Sequence, residues 1–179
     1  MIQKLIAVAM LVILQPLFLI IAIIIIINDG FPIIYIQKNY GKNHKPFYLY
    51  KFRTMKKNAP QMPTEEFDQP KKYILQSGKL LRKFSLDELP QLLNVLKREM
   101  SLVGPRPERP FFVEKLVKEY PFYSRRLKIL PGITGWAQIK HGYDENIEDV
   151  RDKLKFDFYY IENVDIWLDI KILLGTILV

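Results

Sequence analysis

An uncharged apolar segment near the N-terminus constrains the fold most strongly. No charged residue occurs between Leu5 and Ile27, and Gln15 is the only strongly polar residue there. A straight helix of that length would extend about 35 Å at ~1.5 Å per residue, enough to cross the hydrocarbon core of a bilayer. The segment lacks the small-residue cleavage site of a secretory signal. We therefore expect a membrane-anchoring element over residues 1–30, with a buried helix of a soluble protein as the alternative.

A proline at the middle of this segment predicts that the helix is not straight. Pro16 removes one backbone hydrogen bond and clashes with the preceding turn, so a kink is expected. The kink is compatible with a bent spanning helix and with a re-entrant helix that enters and leaves through one leaflet. Lys4 precedes the segment, whereas four lysines follow it closely: Lys38, Lys42, Lys45 and Lys51. This asymmetry predicts a cytoplasmic C-terminal side, and composition alone favours the spanning form.

The composition excludes several functional classes. The 179-residue chain has no cysteine and only two histidines, His44 and His141, which excludes a disulfide scaffold, a thiolate zinc site and a cysteine nucleophile. The net charge of +8 would suit a nucleic-acid binder. However, acidic residues are interleaved throughout and no nucleic-acid motif occurs, so no nucleic-acid partner is expected.

The remaining residues, 31–179, predict one α+β domain. Two segments rich in β-branched and aromatic residues, 33–37 and 47–53, predict a β-hairpin with a basic loop. Apolar periodicity predicts several amphipathic helices, over 73–83, 86–99, 108–120 and 146–162. A loop is predicted over 56–70 and a short strand over 134–139. The C-terminal segment 164–179 is either a buried helix or an interfacial helix with Trp167 at headgroup level.

Cations near the predicted hairpin indicate a phosphate ligand. Lys51 and Arg53 fall on one face of a strand, about 6.5–7 Å apart, a spacing that suits a phosphate or diphosphate and equally a solvated basic edge. Arg82 and Lys83 add a further basic patch. The sequence contains neither the G-x-x-x-x-G-K-[ST] loop nor the G-x-G-x-x-G fingerprint of the common nucleotide-binding folds.

A hexapeptide with two adjacent carboxylates, Ser85 to Pro90, has two interpretations. Ser85 and Glu88 have the spacing of a capping box that opens a helix. In the functional interpretation, one of the carboxylates Asp87 and Glu88 attacks a phosphorus centre and the other holds a divalent cation that bridges phosphates.

Arg106 lies between two prolines in the segment Gly104 to Glu108. Pro105 and Pro107 fix their own φ angles, and Pro107 moves Arg106 out of the helical region. An arginine on such a rigid loop is well placed to bind a phosphate with two parallel hydrogen bonds. The alternative is a simple turn that connects two helices.

Four longer motifs occur in a fixed order: KFRTM at 51–55, SLDELPQL at 85–92, MSLVGPRPE at 100–108 and PGITGWAQ at 131–138. In this order they resemble the bacterial sugar transferases, the monotopic phosphoglycosyl transferases that begin polysaccharide and glycan assembly. The resemblance covers nearly the whole chain and is closest to the minimal catalytic form of the family. It implies transfer of a sugar-1-phosphate from a UDP-sugar to undecaprenyl phosphate, with release of UMP.

The resemblance also assigns roles and a location. It implies that Asp87 is the nucleophile, that Glu88 is associated with Mg²⁺, and that the N-terminal helix is re-entrant with its break at Pro16. It implies a catalytic domain on the cytoplasmic face of the bacterial inner membrane, with membrane lipid as a partner. Lys51, Arg53, Arg82 and Arg106 remain the candidates for binding substrate phosphates. UDP-glucose or UDP-galactose is the expected donor, and a second copy or downstream glycosyltransferases are the expected protein partners.

The sequence departs from the family pattern at three places, one of which is Lys71-Lys72-Tyr73, where the family commonly has an Asp-x-Arg segment before Gly78. The helix break is Gln15-Pro16, where the family commonly has Ser-Pro. The family pattern Gln-x-Arg-x-Gly after the first strand retains Gln37 and Gly41 here, but Asn39 stands at the arginine position.

Overall fold

The computed structural model describes residues 2–60, 70–141 and 147–178 and has the mixed α+β fold predicted from the sequence. It begins with two helices, α1 (Ile2–Ile13) and α2 (Gln15–Asp29), whose axes are bent by 59°. The predicted kink is therefore present. Pro16 lies in the first turn of α2, where its missing N–H costs no helical hydrogen bond. In the described part of the chain no single helix is long and apolar enough to cross a membrane, whereas the bent pair is when taken together.

The bent pair packs against the rest of the protein along one side only. Ala7 of α1 lies in the main hydrophobic cluster, and Ile21 and Ile25 of α2 pack with Phe52 and Leu81. The opposite side leaves large aliphatic side chains exposed, among them Ile2, Leu5, Val12, Ile13, Leu19, Ile20 and Ile27. One side of the pair thus belongs to the protein core, and the other side has no protein cover in the described chain.

The predicted β-hairpin is confirmed, and its first strand is longer than expected. Strand β1 (Ile34–Tyr40) pairs antiparallel with β2 (Pro46–Phe52). The connection contains only a short 3₁₀ turn, Lys42–His44, because residues predicted to lie in the basic loop take part in the strand pairing.

A second, parallel pair was not predicted. Strand β3 (Ser101–Val103) pairs with β4 (Gly132–Thr134). The backbones approach closely: a Cβ added at Gly132 would lie 2.1 Å from the amide nitrogen of Gly104. Only glycine permits this approach, which brings the motif at 100–108 beside the motif at 131–138.

The helices between and after these strands follow the predictions with three differences. The helices are α3 (Gln76–Lys83), α4 (Leu92–Leu96), α5 (Pro110–Glu119), α6 (Trp136–His141), α7 (Ile147–Glu162) and α8 (Ile166–Leu178). The helix predicted over 86–99 is not continuous. Leu86–Gln91 is a 3₁₀ helix that contains Pro90, and Arg98, just after α4, has a φ of 63°. The strand predicted over 134–139 is wrong, because α6 begins at Trp136. Helix α3 begins three residues later than predicted, after an extended Leu75.

Helix α8, which forms the C-terminal segment, has one buried side and one exposed apolar side. Ile172 is fully buried, and Thr176 hydrogen-bonds to Thr134 on β4. The other side exposes five large apolar residues: Ile166, Trp167, Ile170, Leu173 and Leu174. Most of the loop predicted over 56–70 lies outside the described residues, as does residue 146 at the start of the helix predicted over 146–162.

Candidate active site

Asp87 and Glu88 lie in the first turn of the 3₁₀ helix, directly after a backbone reversal. Ser85 adopts a left-handed φ of 52° and makes no side-chain capping bond. The capping-box interpretation is therefore wrong in this structure. The Glu88 side chain does not return to Ser85 but contacts two cations from distant parts of the chain.

The carboxylate of Glu88 brings these two cations together. Lys51 Nζ lies 2.9 Å from Glu88 Oε1. Arg106 donates from Nη2 to Oε1 at 2.5 Å and from Nη1 to Oε2 at 3.1 Å, which is a two-pronged contact. Lys51 comes from the end of β2 and Arg106 from the proline-flanked loop, so three of the sequence motifs converge on one side chain.

The pKa values of the two adjacent carboxyl groups are shifted in opposite directions. Burial alone would raise the pKa of Glu88, but Arg106 and Lys51 outweigh it and lower that pKa to about 2. Burial, followed by the charge of Glu88, raises the pKa of Asp87, while Lys51 and Arg82 oppose the rise. The structure therefore pairs a firmly ionised Glu88 with a buried Asp87 that is more basic than an ordinary aspartate.

Arg82 completes this group of charges. It comes from the last turn of α3, and its Nε donates to Thr54 Oγ1 at 2.9 Å. Its charge acts on Asp87. We refer to Lys51, Arg82, Asp87, Glu88 and Arg106 as the dyad cluster.

Arg53 does not share the position predicted for it beside Lys51. Its guanidinium is buried and lies 2.6 Å from Asp29 Oδ2 at the end of α2. It also donates to the main-chain carbonyls of Asp29 and Gly30. These carbonyls have no partner within the helix, so Arg53 satisfies the end of α2 and attaches it to β2. The structure thus gives Arg53 contacts other than a phosphate site.

The loop that carries Arg106 is held by the parallel strand pair. The Gly104 N–H donates to Thr134 O at 2.9 Å, and the Gly132 N–H donates to Pro105 O at 3.0 Å. Together with the two prolines, these bonds support the prediction of a rigid loop.

Sequence reasoning missed a second group of charged side chains behind this loop. Arg126 Nη2 lies 2.8 Å from Asp157 Oδ2, and both side chains are almost fully buried. Lys153 and Arg126 also lie within 4.0 Å of Glu108 Oε1. We refer to these four residues as the core ion cluster. One signal was available, because Asp157 falls on the apolar face of α7 that Val150, Leu154 and Phe158 define.

The oxygen donors of the dyad cluster fit a magnesium ion only in combination with a substrate. The described residues contain no group of three or more side chains of the metal-ligating types His, Cys, Asp and Glu. Mg²⁺ is commonly bound by one or two carboxylates together with substrate phosphates. Asp87 and Glu88 supply that number, and Glu88 is ionised at neutral pH.

The comparisons with known proteins agree with this arrangement of motifs. The family model of the bacterial sugar transferases matches residues 1–179. The chain is 43% identical over 91% of its length to a UDP-N-acetylgalactosamine-undecaprenyl-phosphate N-acetylgalactosaminephosphotransferase of Aeromonas hydrophila. It is 36% identical over 96% of its length to a UDP-glucose:undecaprenyl-phosphate glucose-1-phosphate transferase of Escherichia coli (strain K12). It is 41% identical over 83% of its length to the sugar transferase EpsL of Bacillus subtilis (strain 168).

The chain belongs to the bacterial sugar transferase family. It spans 38% and 37% of the Aeromonas and Escherichia relatives and 69% of the Bacillus relative. The likeness therefore concerns one part of the two longer relatives.

Proposed function

We propose that this protein transfers a sugar-1-phosphate from a UDP-sugar to undecaprenyl phosphate and releases UMP. One observation supports the proposal above all others: Lys51, Arg82 and Arg106 surround two adjacent carboxylates in a chain whose relatives are named for this reaction. Three cations against two carboxylates leave a net positive charge, which favours an anionic diphosphate substrate.

In the first proposed step, an Asp87 carboxylate oxygen attacks the phosphorus that carries the sugar. A bond forms between this oxygen and phosphorus, and the bond from phosphorus to the bridging oxygen of UMP breaks. The electron pair of the broken bond leaves with UMP. The raised pKa of Asp87 supports this role, because a more basic carboxylate is a better nucleophile once ionised.

The proposed role of the cations is to reduce the repulsion between this carboxylate and the diphosphate. Lys51 has three N–H donors, of which one is directed at Glu88 Oε1. Arg106 has five N–H donors in one plane, of which two are directed at Glu88, and this planar group matches phosphate oxygens. Glu88 holds both cations at the site before the substrate arrives, so less reorganisation is needed during the reaction.

Mg²⁺ is part of the proposal as a partner of Glu88 and the substrate diphosphate. When bound, such an ion neutralises phosphate charge and stabilises the leaving group. Glu88 is the proposed ligand because its lowered pKa keeps it ionised at all physiological pH values.

In the second proposed step, a phosphate oxygen of the lipid attacks the same phosphorus. The new bond forms the lipid diphosphate sugar, and the bond to Asp87 breaks so that its carboxylate is restored. A covalent intermediate allows the water-soluble UMP to leave before the lipid phosphate enters, which predicts ping-pong kinetics.

The proposed membrane attachment is re-entrant, and contacts at both ends of the bent pair support it. At the start of α1, Gln3 Oε1 accepts a hydrogen bond from the Leu102 N–H of β3. At the end of α2, Asp29 binds Arg53. Because both ends contact the same body, the pair fits a bend within one leaflet better than a span. The exposed apolar side of α8 is proposed to lie in the same interface.

Single-cysteine labelling tests this topology, because the native chain contains no cysteine. Ile2 and Asn28 are both exposed near the two ends of the pair, so cysteine at each position should be accessible from the cytoplasm only. Periplasmic labelling at position 2 would contradict the re-entrant form. Replacing Pro16 with Leu should straighten the pair and move position 2 to the periplasmic side.

The reaction is tested by measuring UMP release in detergent or nanodiscs with undecaprenyl phosphate and Mg²⁺. The donor panel should contain UDP-glucose, UDP-galactose and UDP-N-acetylgalactosamine, because the expected hexoses and the sugar named for the Aeromonas relative differ. Release that depends on both the lipid and a UDP-sugar supports the proposal. No release with any donor, from protein that folds and binds membranes, would refute it. The proposed location is the cytoplasmic face of the bacterial inner membrane.

A further inference from the structure

The loop around Arg106 is restrained at four consecutive carbonyl groups. Gly132 N–H donates to Pro105 O, and Tyr40 N–H donates to Glu108 O, each at 3.0 Å. Between them, Arg126 Nη2 donates to Arg106 O at 3.0 Å, and Asn39 Nδ2 donates to Pro107 O at 3.1 Å. These donors come from β1, β4 and the 3₁₀ helix Tyr123–Lys128, so the loop is held from several directions.

Two of the four donors are side chains, and both are buried. Asn39 is 0% exposed and Arg126 is 4% exposed. Main-chain donors are present in any sequence with this fold, apart from proline. A buried side-chain donor, in contrast, is specified by its residue type alone, and its loss leaves a carbonyl without its partner.

The Asn39 amide is itself fixed in orientation. Gln37 Nε2 donates to Asn39 Oδ1 at 2.8 Å, which leaves the Asn39 amino group directed at the loop. Gln37 Oε1 in turn accepts from Arg109 Nη2 at 3.2 Å. The chain of hydrogen bonds therefore starts and ends on the segment that follows Arg106.

We propose that Asn39 and Arg126 are positioning residues that hold the Arg106 guanidinium at the Asp87–Glu88 pair. Gly132 fixes the peptide plane before the Arg106 Cα, and Arg126 fixes the plane after it. Asn39 fixes the next plane. Both side chains end on backbone carbonyls, so their effect on catalysis passes through the direction in which Arg106 points.

The expected effect on catalysis rests on the proposed function, whereas the restraint of the loop by Asn39 and Arg126 does not. A small displacement of a group that contacts the reacting phosphate strongly lowers the rate, because the transition state depends on its position. If Pro107 O and Arg106 O lost these hydrogen bonds, the loop would move more, and the Arg106 guanidinium would occupy its position at Glu88 for only part of the time.

The test compares Asn39→Ala and Asn39→Asp with Lys38→Ala as the matched control. Lys38 is the exposed neighbour of Asn39 on β1. Loss of one buried hydrogen bond predicts a reduction in kcat/KM for the UDP-sugar of about tenfold in Asn39→Ala. Asn39→Asp should lose at least as much, because it places an acceptor oxygen against Pro107 O. Lys38→Ala should stay within about twofold of the parent.

A double-mutant cycle separates positioning from general destabilisation. If Asn39 acts through Arg106, Asn39→Ala should lower kcat/KM by less than about twofold in the Arg106→Lys background, because coupled residues are not additive. An equal loss in both backgrounds, or no loss in the parent background, would overturn the proposal. Arg126→Lys should reproduce the pattern, because a single ammonium cannot replace both Nη1, which donates to Tyr123, and Nη2, which serves Arg106 O and Asp157.

Hydrogen–deuterium exchange of the peptide around residues 102–113 provides a readout that does not depend on activity. Exchange should be faster in Asn39→Ala than in the parent and unchanged in Lys38→Ala. Unchanged exchange in Asn39→Ala would overturn the restraint of the loop even if the enzyme is active. If the parent protein releases no UMP from any donor, the proposed function fails, and the exchange result still decides whether Asn39 holds the loop.

Discussion

The dyad cluster and the core ion cluster are built from the same residue types but differ in charge balance and exposure. The dyad cluster has three cations and two carboxylates, and its Lys51 and Arg106 side chains are 19% and 29% exposed. The core ion cluster pairs two cations with two carboxylates, and its Arg126 and Asp157 side chains are 4% and 3% exposed. A neutral cluster built around a buried ion pair leaves no surplus charge for a ligand, whereas the dyad cluster has a surplus cation beside the partly exposed Lys51 and Arg106.

Arg106 connects the two clusters through different atoms. Its guanidinium contacts Glu88, and its main-chain carbonyl accepts a hydrogen bond from Arg126. The dyad cluster is therefore arranged for a ligand, whereas the core ion cluster supports the loop that carries Arg106. Mutations at the dyad cluster should lower activity with little loss of stability. Mutations at the core ion cluster should lower stability, and those at Arg126 should also lower activity through the loop that carries Arg106.

The largest effect is expected at the proposed nucleophile. Asp87→Asn keeps the side-chain shape but removes the attacking carboxylate, so turnover should fall by about 10⁴-fold or more with little change in unfolding temperature. A radiolabelled UDP-sugar should label the parent protein and not the variant. Kinetics that require a ternary complex, together with no adduct at Asp87, would instead indicate direct transfer with Asp87 as a general base.

The core ion cluster should respond in the opposite way, with a loss of stability. Asp157→Asn leaves the buried Arg126 without its carboxylate, and such a loss costs about 3–5 kcal/mol of the free energy of unfolding. Arg125→Ala is the matched control, because the Arg125–Glu162 pair is exposed and such pairs contribute less than about 1 kcal/mol. Denaturant unfolding in detergent measures both, and equal effects would show that burial does not distinguish these pairs.

Substitutions at Arg106 test the open cluster without removing the nucleophile. Arg106→Ala should raise the activation free energy by about 2–4 kcal/mol, as measured by kcat/KM for the UDP-sugar. Arg106→Lys should recover only part of the loss, because an ammonium lacks the planar fork. Unchanged kinetics in Arg106→Ala would mean that the proline-flanked loop is only a structural turn.

The smallest effect concerns the pH dependence of stability at Glu88. Its pKa of about 2 in the folded protein lies below the ordinary value of 4.5, so its ion pairs stabilise the fold above about pH 4.5 and this contribution is lost as pH falls toward 2. The loss is about 2–3 kcal/mol by linkage. Asp87 has the opposite sign, because a raised pKa means that its contribution is present below the ordinary value of 3.8 and lost as pH rises.

Unfolding measured from pH 6 to pH 2 in Glu88→Gln checks this expectation. The variant should lack the part of the acid-induced destabilisation that belongs to Glu88. Identical pH profiles for the parent protein and the variant would show that Lys51 and Arg106 do not stabilise the ionised form.

The sequence predicted well those features that depend on local pattern. The hairpin follows from two segments rich in β-branched and aromatic residues, α7 follows from a 3.6-residue period, and the kink follows from Pro16. The sequence motifs indicate Lys51, Glu88 and Arg106 as site residues, and the structure brings these three side chains into contact.

Other features depend on contacts between distant residues and were missed. Strands β3 and β4 have three residues each and no alternation, and their pairing requires the close approach of Gly104 and Gly132. Arg53 has the sequence pattern of a phosphate ligand, but Asp29 lies close enough in space to take its guanidinium. Such competition between partners cannot be inferred from spacing along the chain.

The hydrogen bond at Gln3 and the ion pair at Asp29 have a consequence for how the protein would respond to the thickness of its membrane. Helices α1 and α2 contain 12 and 15 residues. They are therefore about 18 and 22 Å long, whereas a bilayer core is ~30 Å thick. In the proposed re-entrant form, both helices have one end in contact with the rest of the protein, so their length has to match the thickness of a single leaflet. Hydrophobic mismatch would then act on the enzyme only through the leaflet that carries its acceptor lipid, and not through the full width of the bilayer.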